Sequence, residues 1–503
     1  MRTRPANVNR KRHRDVQAIL LALIAATTAR GIGLTRESLW YDEAYSVWSS
    51  AMDIASLQVL WSWRIEFPLY YLLLHYWMWL FGSGELAVRA FGAAAGILTV
   101  VPMYFWAREI LGRRGALYAT LLLAINPYHV WYSQEVRMYA WALLFSQVAL
   151  YAYWRFLRSE KHSWWLAHAL LTGLTLHLHY YVAWIVLVEN VLFLPILARR
   201  SGGIRGRSAW KILLWWLLDQ LIVLLFALPA LVVFTTKMQT YNQWGWLAER
   251  YGAPTWHSVV NLLDVYALGL GYRGPGVLRW LMLLAIAGLA TWALVPHERN
   301  SQNSQENAVW RSKAAVALFV GLPLALIFVL GQFTPLWVPR YLLFFLPPLL
   351  VLVAAGWERL WAWQGLLVAF LLVLGSLWAL GDMYSQQQKE DWRGVATYLA
   401  REASPHGVIV LMDEECRVPL DYYDRSHMRR IEVSRFADSQ AIETAVQQVL
   451  YHGTLAVPGE RLFLVISHAD GTAVEERLDA LPKVRRIENP PFVGIRVVTY
   501  AWL

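Results

Sequence analysis

The chain has one cysteine, little charge and no nucleotide-binding loop. A single thiol, Cys416, excludes an intramolecular disulfide framework. The absence of any Cys-x-x-Cys pair and of a Gly-x-x-x-x-Gly-Lys loop removes metal-ribbon and phosphate-loop folds. No internal repeat is visible. Only 16% of the 503 residues are charged, too few to clothe a soluble multidomain protein. What is there instead is apolar: 57% hydrophobic residues, a mean hydropathy of +0.36, and 29 Trp with 25 Tyr. That composition belongs to an integral membrane protein with many interfacial aromatic anchors.

The net charge of +10 is unevenly placed. Residues 382–503 sum to −4 and residues 1–381 to +14, the latter mostly in short loops. This is the positive-inside pattern of a membrane protein rather than a nucleic-acid stripe. The basic start, Arg2 to Arg14, leads into an apolar run from Val16 to about Gly33 that ends without a small-residue cleavage site. It is read as a retained transmembrane helix rather than a signal peptide.

A spanning helix needs about 20 mostly apolar residues. Eleven candidates fall near 16–34, 86–106, 115–133, 138–157, 164–181, 182–198, 212–235, 277–296, 314–331, 341–356 and 365–380. Pro68 to Phe81 is too short to span and is read as an outer interfacial helix, anchored by Tyr70, Tyr71, Tyr76, Trp77 and Trp79. With the N-terminus inside, the expected cytoplasmic pieces hold 21 Lys/Arg and the expected outer loops 7, the required sign of bias. Residues 1–381 are thus expected to form an all-α polytopic membrane bundle, with a first outer loop at 35–84. An odd number of spans puts residues 382–503 outside, as a soluble α/β domain. Its strands are expected at Val408–Met412, Leu462–Ser467 and Gly494–Tyr500, and its helices at Trp392–Glu402, Ala441–Tyr451 and Ala473–Leu481.

The chemistry-bearing residues gather at the expected outer face. Trp40-Tyr41-Asp42-Glu43-Ala44-Tyr45 places two adjacent carboxylates between interfacial aromatics, where desolvation makes them costly. Asp42 reads as a general base for an acceptor hydroxyl; the plainer reading is a cap for a helix from Glu43, with Glu43 favouring its dipole. Glu135 and Arg137 follow in the next outer turn, as a sugar-hydroxyl and a phosphate contact, or as a pair that snorkels to water. Arg340-Tyr341 opens the tenth span, where an outer arginine either holds an anion such as a lipid phosphate or simply snorkels to the headgroups. His177 and His179 are two apart and cannot share a helix face, so zinc is not expected; His179 either lines the cavity or packs in the bundle. Glu189 and Asp219 lie within spans and are assigned structural pairing with Tyr, Trp or His. Glu66 precedes the interfacial helix, either reaching the cavity or as an exposed loop acid.

Trp40–Tyr45, Pro68-Leu69-Tyr70-Tyr71-Leu72-Leu73-Leu74-His75, a glycine-rich second span, Asn126-Pro127, Tyr132-Ser133-Gln134-Glu135-Val136-Arg137-Met138-Tyr139 and Arg340-Tyr341-Leu342-Leu343 occur in this order. Together they resemble bacterial GT-C glycosyltransferases of family 39, the group similar to protein O-mannosyltransferases and lipid A aminoarabinose transferase. Asp391-Trp392-Arg393-Gly394-Val395-Ala396 is similar to the opening of the outer domain in such proteins. The resemblance implies a sugar transferase in a bacterial plasma membrane, drawing on a polyprenyl-phosphate-linked donor and serving a protein, lipid or glycan acceptor. Asp42 would be the base with Glu43 beside it, Glu135 the second acid, and Arg137 and Arg340 the phosphate contacts. From their positions in the sequence, Tyr45, Tyr341, Glu66 and His179 are expected to line the substrate site. No cofactor is expected; a divalent metal could sit on Asp42 and Glu135, but the arginines suffice to neutralise phosphate. The chain departs from the family at Glu66-Phe67-Pro68-Leu69, where a basic residue before Pro-Pro-Leu is usual. A lipid-linked sugar transporter or flippase, and a binding scaffold whose catalysis has decayed, are the rival expectations. A transporter would place its charges at the midplane on broken, repeated helices.

Overall fold

The structure, a computed structural model, describes residues 5–57, 68–159, 161–200, 207–240, 250–296, 304–453, 458–488 and 490–503. The chain divides into two compact units. The first, Met1–Ile32, Asp53–Tyr76 and Arg89–Ser385, is helical. The second, Gly33–Met52, Trp77–Val88 and Gln386–Leu503, carries the sheet.

Each of the eleven apolar segments overlaps α-helix: Pro5–Gly31, Glu85–Leu98 with Val100–Ala124, Tyr139–Ser159, His162–Leu176, Ala183–Arg200, Arg207–Thr240, Gly276–Leu294, Ser304–Leu330, Leu346–Trp357 and Ala362–Ser385; the segment expected at 164–181 ends its α-helix at Leu176, and that expected from 341 opens with a 3₁₀ turn, Pro339–Phe345. Among the described residues six stretches are long and apolar enough to cross a membrane. One of these, Glu85–Ala124, contains a kink: Gly112 has φ +81° and ψ −166°, a conformation open essentially to glycine alone, between the segments expected at 86–106 and 115–133. The segment expected to run to 133 stops instead at Ala124. Asn126 then caps a separate short helix, Pro127–Ser133, its Oδ1 accepting the His129 amide at 3.0 Å with Pro127 at the first helical position. Gly269-Leu270-Gly271-Tyr272-Arg273-Gly274 matches a Gly-x-Gly-x-x-Gly spacing, but it links helix Trp256–Leu268 to helix Gly276–Leu294. With no strand before it, it is not a dinucleotide loop.

The acids inside the bundle are paired, as expected. His168 bridges Asp219 (Nδ1 to Oδ1, 2.9 Å) and Glu189 (Nε2 to Oε2, 3.2 Å), all three buried. Tyr153 donates to the Glu189 carbonyl at 2.9 Å, and Gln220 to Asp219 at 3.0 Å. Three helices, His162–Leu176, Ala183–Arg200 and Arg207–Thr240, are riveted by one polar network. Helix Pro68–Phe81 forms as expected, but only part of its aromatic set is positioned as an anchor. Tyr70 and Tyr71 are buried, while Tyr76 and Trp79 are exposed.

In the second unit, strands β1 (Val408–Met412), β2 (Arg429–Val433), β3 (Arg461–Ile466), β4 (Val484–Glu488), β5 (Pro491–Phe492) and β6 (Ile495–Trp502) form one sheet, ordered β2-β1-β3-β6-β4 with β5 on β6. β1 runs parallel to β2 and β3, and β6 antiparallel to β3. Successive residues feed opposite faces: Val408, Val410, Leu462 and Leu464 meet Val449 and Leu478, whereas Ile409, Leu411, Phe463 and Val465 meet Trp392, Val395 and Leu420. All three expected strands and helices are present. β2, β4 and the two-residue β5 were not expected; the Arg429-Arg430 and Arg485-Arg486 pairs break the apolar signal of β2 and β4, as suits sheet edges.

Candidate active site

The second unit holds the acidic pair. Helix Tyr41–Ser50 has Trp40 in the capping position, so Asp42 lies in the first turn and is not its cap. Two neighbouring side chains diverge by a helical step, and their surroundings differ accordingly. Glu43 is fully buried and accepts a hydrogen bond from Lys389 Nζ at 3.0 Å. Asp42 remains half-buried. Tyr45 is buried, packed between Tyr41 and Trp48 with ring centres 6.2 and 5.7 Å away.

The first unit gathers the second acid and the arginines. Glu135 and Arg137 are both buried in the bend between helices Pro127–Ser133 and Tyr139–Ser159. Arg137 Nη1 donates to the Tyr71 hydroxyl at 3.4 Å. Gly92 fixes this bend: a Cβ there would lie 2.7 Å from the Glu135 carbonyl oxygen and 2.8 Å from that of Ser133. From below, buried Arg30 donates to the Ala124 carbonyl at 2.9 Å and to His129 Nδ1 at 2.7 Å, and Gln134 returns bonds to the Arg30 and Ile32 carbonyls.

Arg340 lies in a 3₁₀ turn, Pro339–Phe345, whose backbone is held by tyrosine hydroxyls. Tyr128 donates to the Pro339 carbonyl and Tyr266 to that of Leu342, each at 2.5 Å, and Tyr181 to Leu336. The guanidinium sits 5.4 Å from the Tyr341 ring centre. His179 is buried in an aromatic cluster with Tyr139, Tyr180, Tyr181, Tyr341 and Phe344, and its Nδ1 accepts the Tyr181 amide at 3.2 Å. The rings run on from the bend to the turn: Tyr132 lies 5.3 Å from Tyr139, Tyr139 5.7 Å from His179, and His179 4.8 Å from Tyr341, centre to centre. Residues 71, 132–137, 179 and 340–341 therefore form one constellation: two fixed cations, a carboxylate and several phenols in an aromatic setting. Such a set suits an anionic ligand carrying a hydroxylated, stackable body.

Sequence reasoning named Glu135, Arg137, His179, Arg340 and Tyr341, and these fall in that constellation. Asp42, Glu43 and Tyr45 lie on one helix of the second unit, and Glu66 lies outside the described residues. Lys389, Tyr71 and the tyrosines behind Arg340 were missed. Their only signal was type: a lysine in the Lys389-Glu390-Asp391-Trp392 run and phenols taken for interfacial anchors.

Residues 66–233 match the family described as dolichyl-phosphate-mannose-protein mannosyltransferase. ArnT from Cupriavidus metallidurans has the same fold, both bound to undecaprenyl phosphate (TM-score 0.55) and in the apo state (0.57). Each is 14% identical, over 96% of this chain and 97% of that one. The chain is similar to GT-C glycosyltransferases of the ArnT and protein-mannosyltransferase kind. An oligosaccharyltransferase from Archaeoglobus fulgidus, tethered to an acceptor peptide, shares the fold at TM-score 0.51 and 13% identity, over 90% of this chain and 69% of that one. No curated protein matches by sequence. With its apolar helices, the fold makes this a multi-pass membrane protein.

Proposed function

We propose that this chain is a membrane glycosyltransferase that moves a sugar from a polyprenyl-phosphate donor to an acceptor hydroxyl at the outer face of the membrane. In the proposed topology eleven spans leave the N-terminus in the cytoplasm and the C-terminal α/β domain outside. The observation that carries the reading is the run of rings Tyr132, Tyr139, His179 and Tyr341, with centres 5.3, 5.7 and 4.8 Å apart, which links the bend holding Glu135 and Arg137 to the turn holding Arg340, 203 positions from Arg137. The fold shared with a protein that binds undecaprenyl phosphate supports it.

In this mechanism Arg137 and Arg340 hold the donor phosphate, with Tyr71 and Tyr341 fixing their direction. Glu135 accepts a hydrogen bond from a sugar hydroxyl. Asp42 takes the proton of the acceptor hydroxyl as its oxygen attacks the anomeric carbon. The bond from that carbon to the phosphate oxygen breaks, its electron pair stays on the phosphate, and polyprenyl phosphate leaves. A single displacement inverts the anomeric centre. Offsetting the departing charge with fixed cations is worth roughly 3–4 kcal/mol per donor in comparable sites. Since the arginines supply positive charge, the scheme requires no metal and no cofactor.

The test is reconstitution in liposomes with tritiated mannosyl undecaprenyl phosphate and a membrane extract as acceptor. Passage of label from lipid to acceptor supports the transferase. Label that crosses the bilayer but stays on lipid indicates a flippase. Binding of undecaprenyl phosphate with neither outcome indicates a scaffold.

A further inference from the structure

Lys389 lies at the start of the α/β region, 346 positions from Glu43, yet its ammonium is buried against that carboxylate at 3.0 Å. The contact is part of a ladder. Glu37 Oε1 accepts the amides of Gln388 and Lys389, Ser38 Oγ donates to the Glu390 carbonyl at 2.5 Å, and Arg393 donates to the Thr35 and Glu37 carbonyls at 3.1 and 3.2 Å. The Leu39 amide donates to the Tyr423 hydroxyl at 2.7 Å. Residues 35–39, which lead into helix Tyr41–Ser50, are therefore aligned by residues 388–393 and 423. The next side chain along points the other way: Glu390 pairs with His468, beyond the end of β3, and accepts from Trp392 Nε1 at 2.6 Å.

We infer that Lys389 is a positioning residue for the transfer reaction: by holding Glu43, it fixes the first turn of the helix and so the direction of Asp42. The inference rests on the proposed role of Asp42. It makes the opening of the α/β region part of the catalytic apparatus, braced against the sheet through Glu390 and His468, rather than a module concerned with the acceptor alone. A buried ammonium–carboxylate pair fits this role because its geometry is constrained from both sides. Replacing both partners by neutral residues removes the alignment and takes both buried charges away together.

The test uses the full chain with Lys389→Met combined with Glu43→Gln, since Lys389→Met alone takes the ammonium away from a buried carboxylate and endangers folding. Two readouts are taken: transfer from tritiated mannosyl undecaprenyl phosphate, and carbodiimide modification of Asp42 followed by mass spectrometry. The double variant is expected to melt like the wild type. Its kcat should fall about a hundredfold, the scale set by ångström misplacement of a reacting group. The donor KM should stay within about twofold, and Asp42 modification should rise at least about threefold as the turn loosens. Lys389→Arg, which keeps the pair, restores both readouts. Wild-type labelling of Asp42 in the double variant overturns the inference whatever the rate. A wild-type protein inert toward this donor counts against the proposed function instead, and the labelling still decides the role of Lys389.

Discussion

Gly92→Ala probes the second acid without changing any side chain proposed to meet substrate. The added Cβ would lie 2.7 Å from the Glu135 carbonyl oxygen, against the 3.4 Å at which ordinary contact begins, so a retreat of about 0.7 Å is required. Both blocking atoms belong to backbone, of Ser133 and Glu135, and no side-chain rotation relieves them. The bend from 133 to 137 must move, carrying Glu135 and Arg137 with it. Overpacking of this kind costs about 1–3 kcal/mol of stability. A shift of this size in a binding group lowers transfer by tenfold to about a hundredfold, or about 1.4–2.7 kcal/mol in the barrier. The assay is the initial rate of label transfer at saturating donor, with thermal unfolding in detergent measured alongside. Gly288→Ala is the control, because a Cβ there meets nothing within 4 Å; it should leave both quantities near wild type. A Gly92→Ala protein that transfers at the wild-type rate would refute the argument that this glycine positions the acid.

Three further outcomes follow from the same contacts. His168→Leu leaves Asp219 and Glu189 buried without the imidazole between them and should cost about 3–5 kcal/mol; an unchanged melting temperature would contradict the rivet. Arg340→Lys keeps the charge but loses the planar fork, so undecaprenyl phosphate binding, read by native mass spectrometry, should weaken tenfold or more; equal binding would remove Arg340 from the phosphate site. Burial, followed by the nearby charge of Asp413, pushes the Cys416 thiol far above its ordinary range, so maleimide should modify it only after denaturation; labelling of the folded protein would count against the described packing.

What the sequence reveals depends on how local each signal is. The apolar segments and the β1, β3 and β6 strands are visible because burial on one or both faces leaves a continuous apolar record. Asp42, Glu135 and Arg340 are visible because a charge beside interfacial aromatics is costly and therefore conspicuous. The boundary near Ala124 was misjudged because Asn126 and Pro127 look apolar-compatible in a window average, although together they spell a helix start. Tyr70 and Tyr71 illustrate the opposite failure: a phenol suits an interface and a buried site equally well, and only the fold directs Tyr71 to Arg137. Lys389 was beyond reach in principle. Nothing in its neighbourhood encodes a partner 346 residues earlier, and an isolated lysine reads as a solvated one.

The central claim is that the Asp42 carboxylate is the base for glycosyl transfer. Asp42→Asn preserves shape and removes the base, so it tests the claim directly. In proteoliposomes charged with tritiated mannosyl undecaprenyl phosphate, the account predicts a loss of about 10²–10⁴-fold in transfer, with undecaprenyl phosphate still bound as in the wild type. Transfer by Asp42→Asn at the wild-type rate would contradict it.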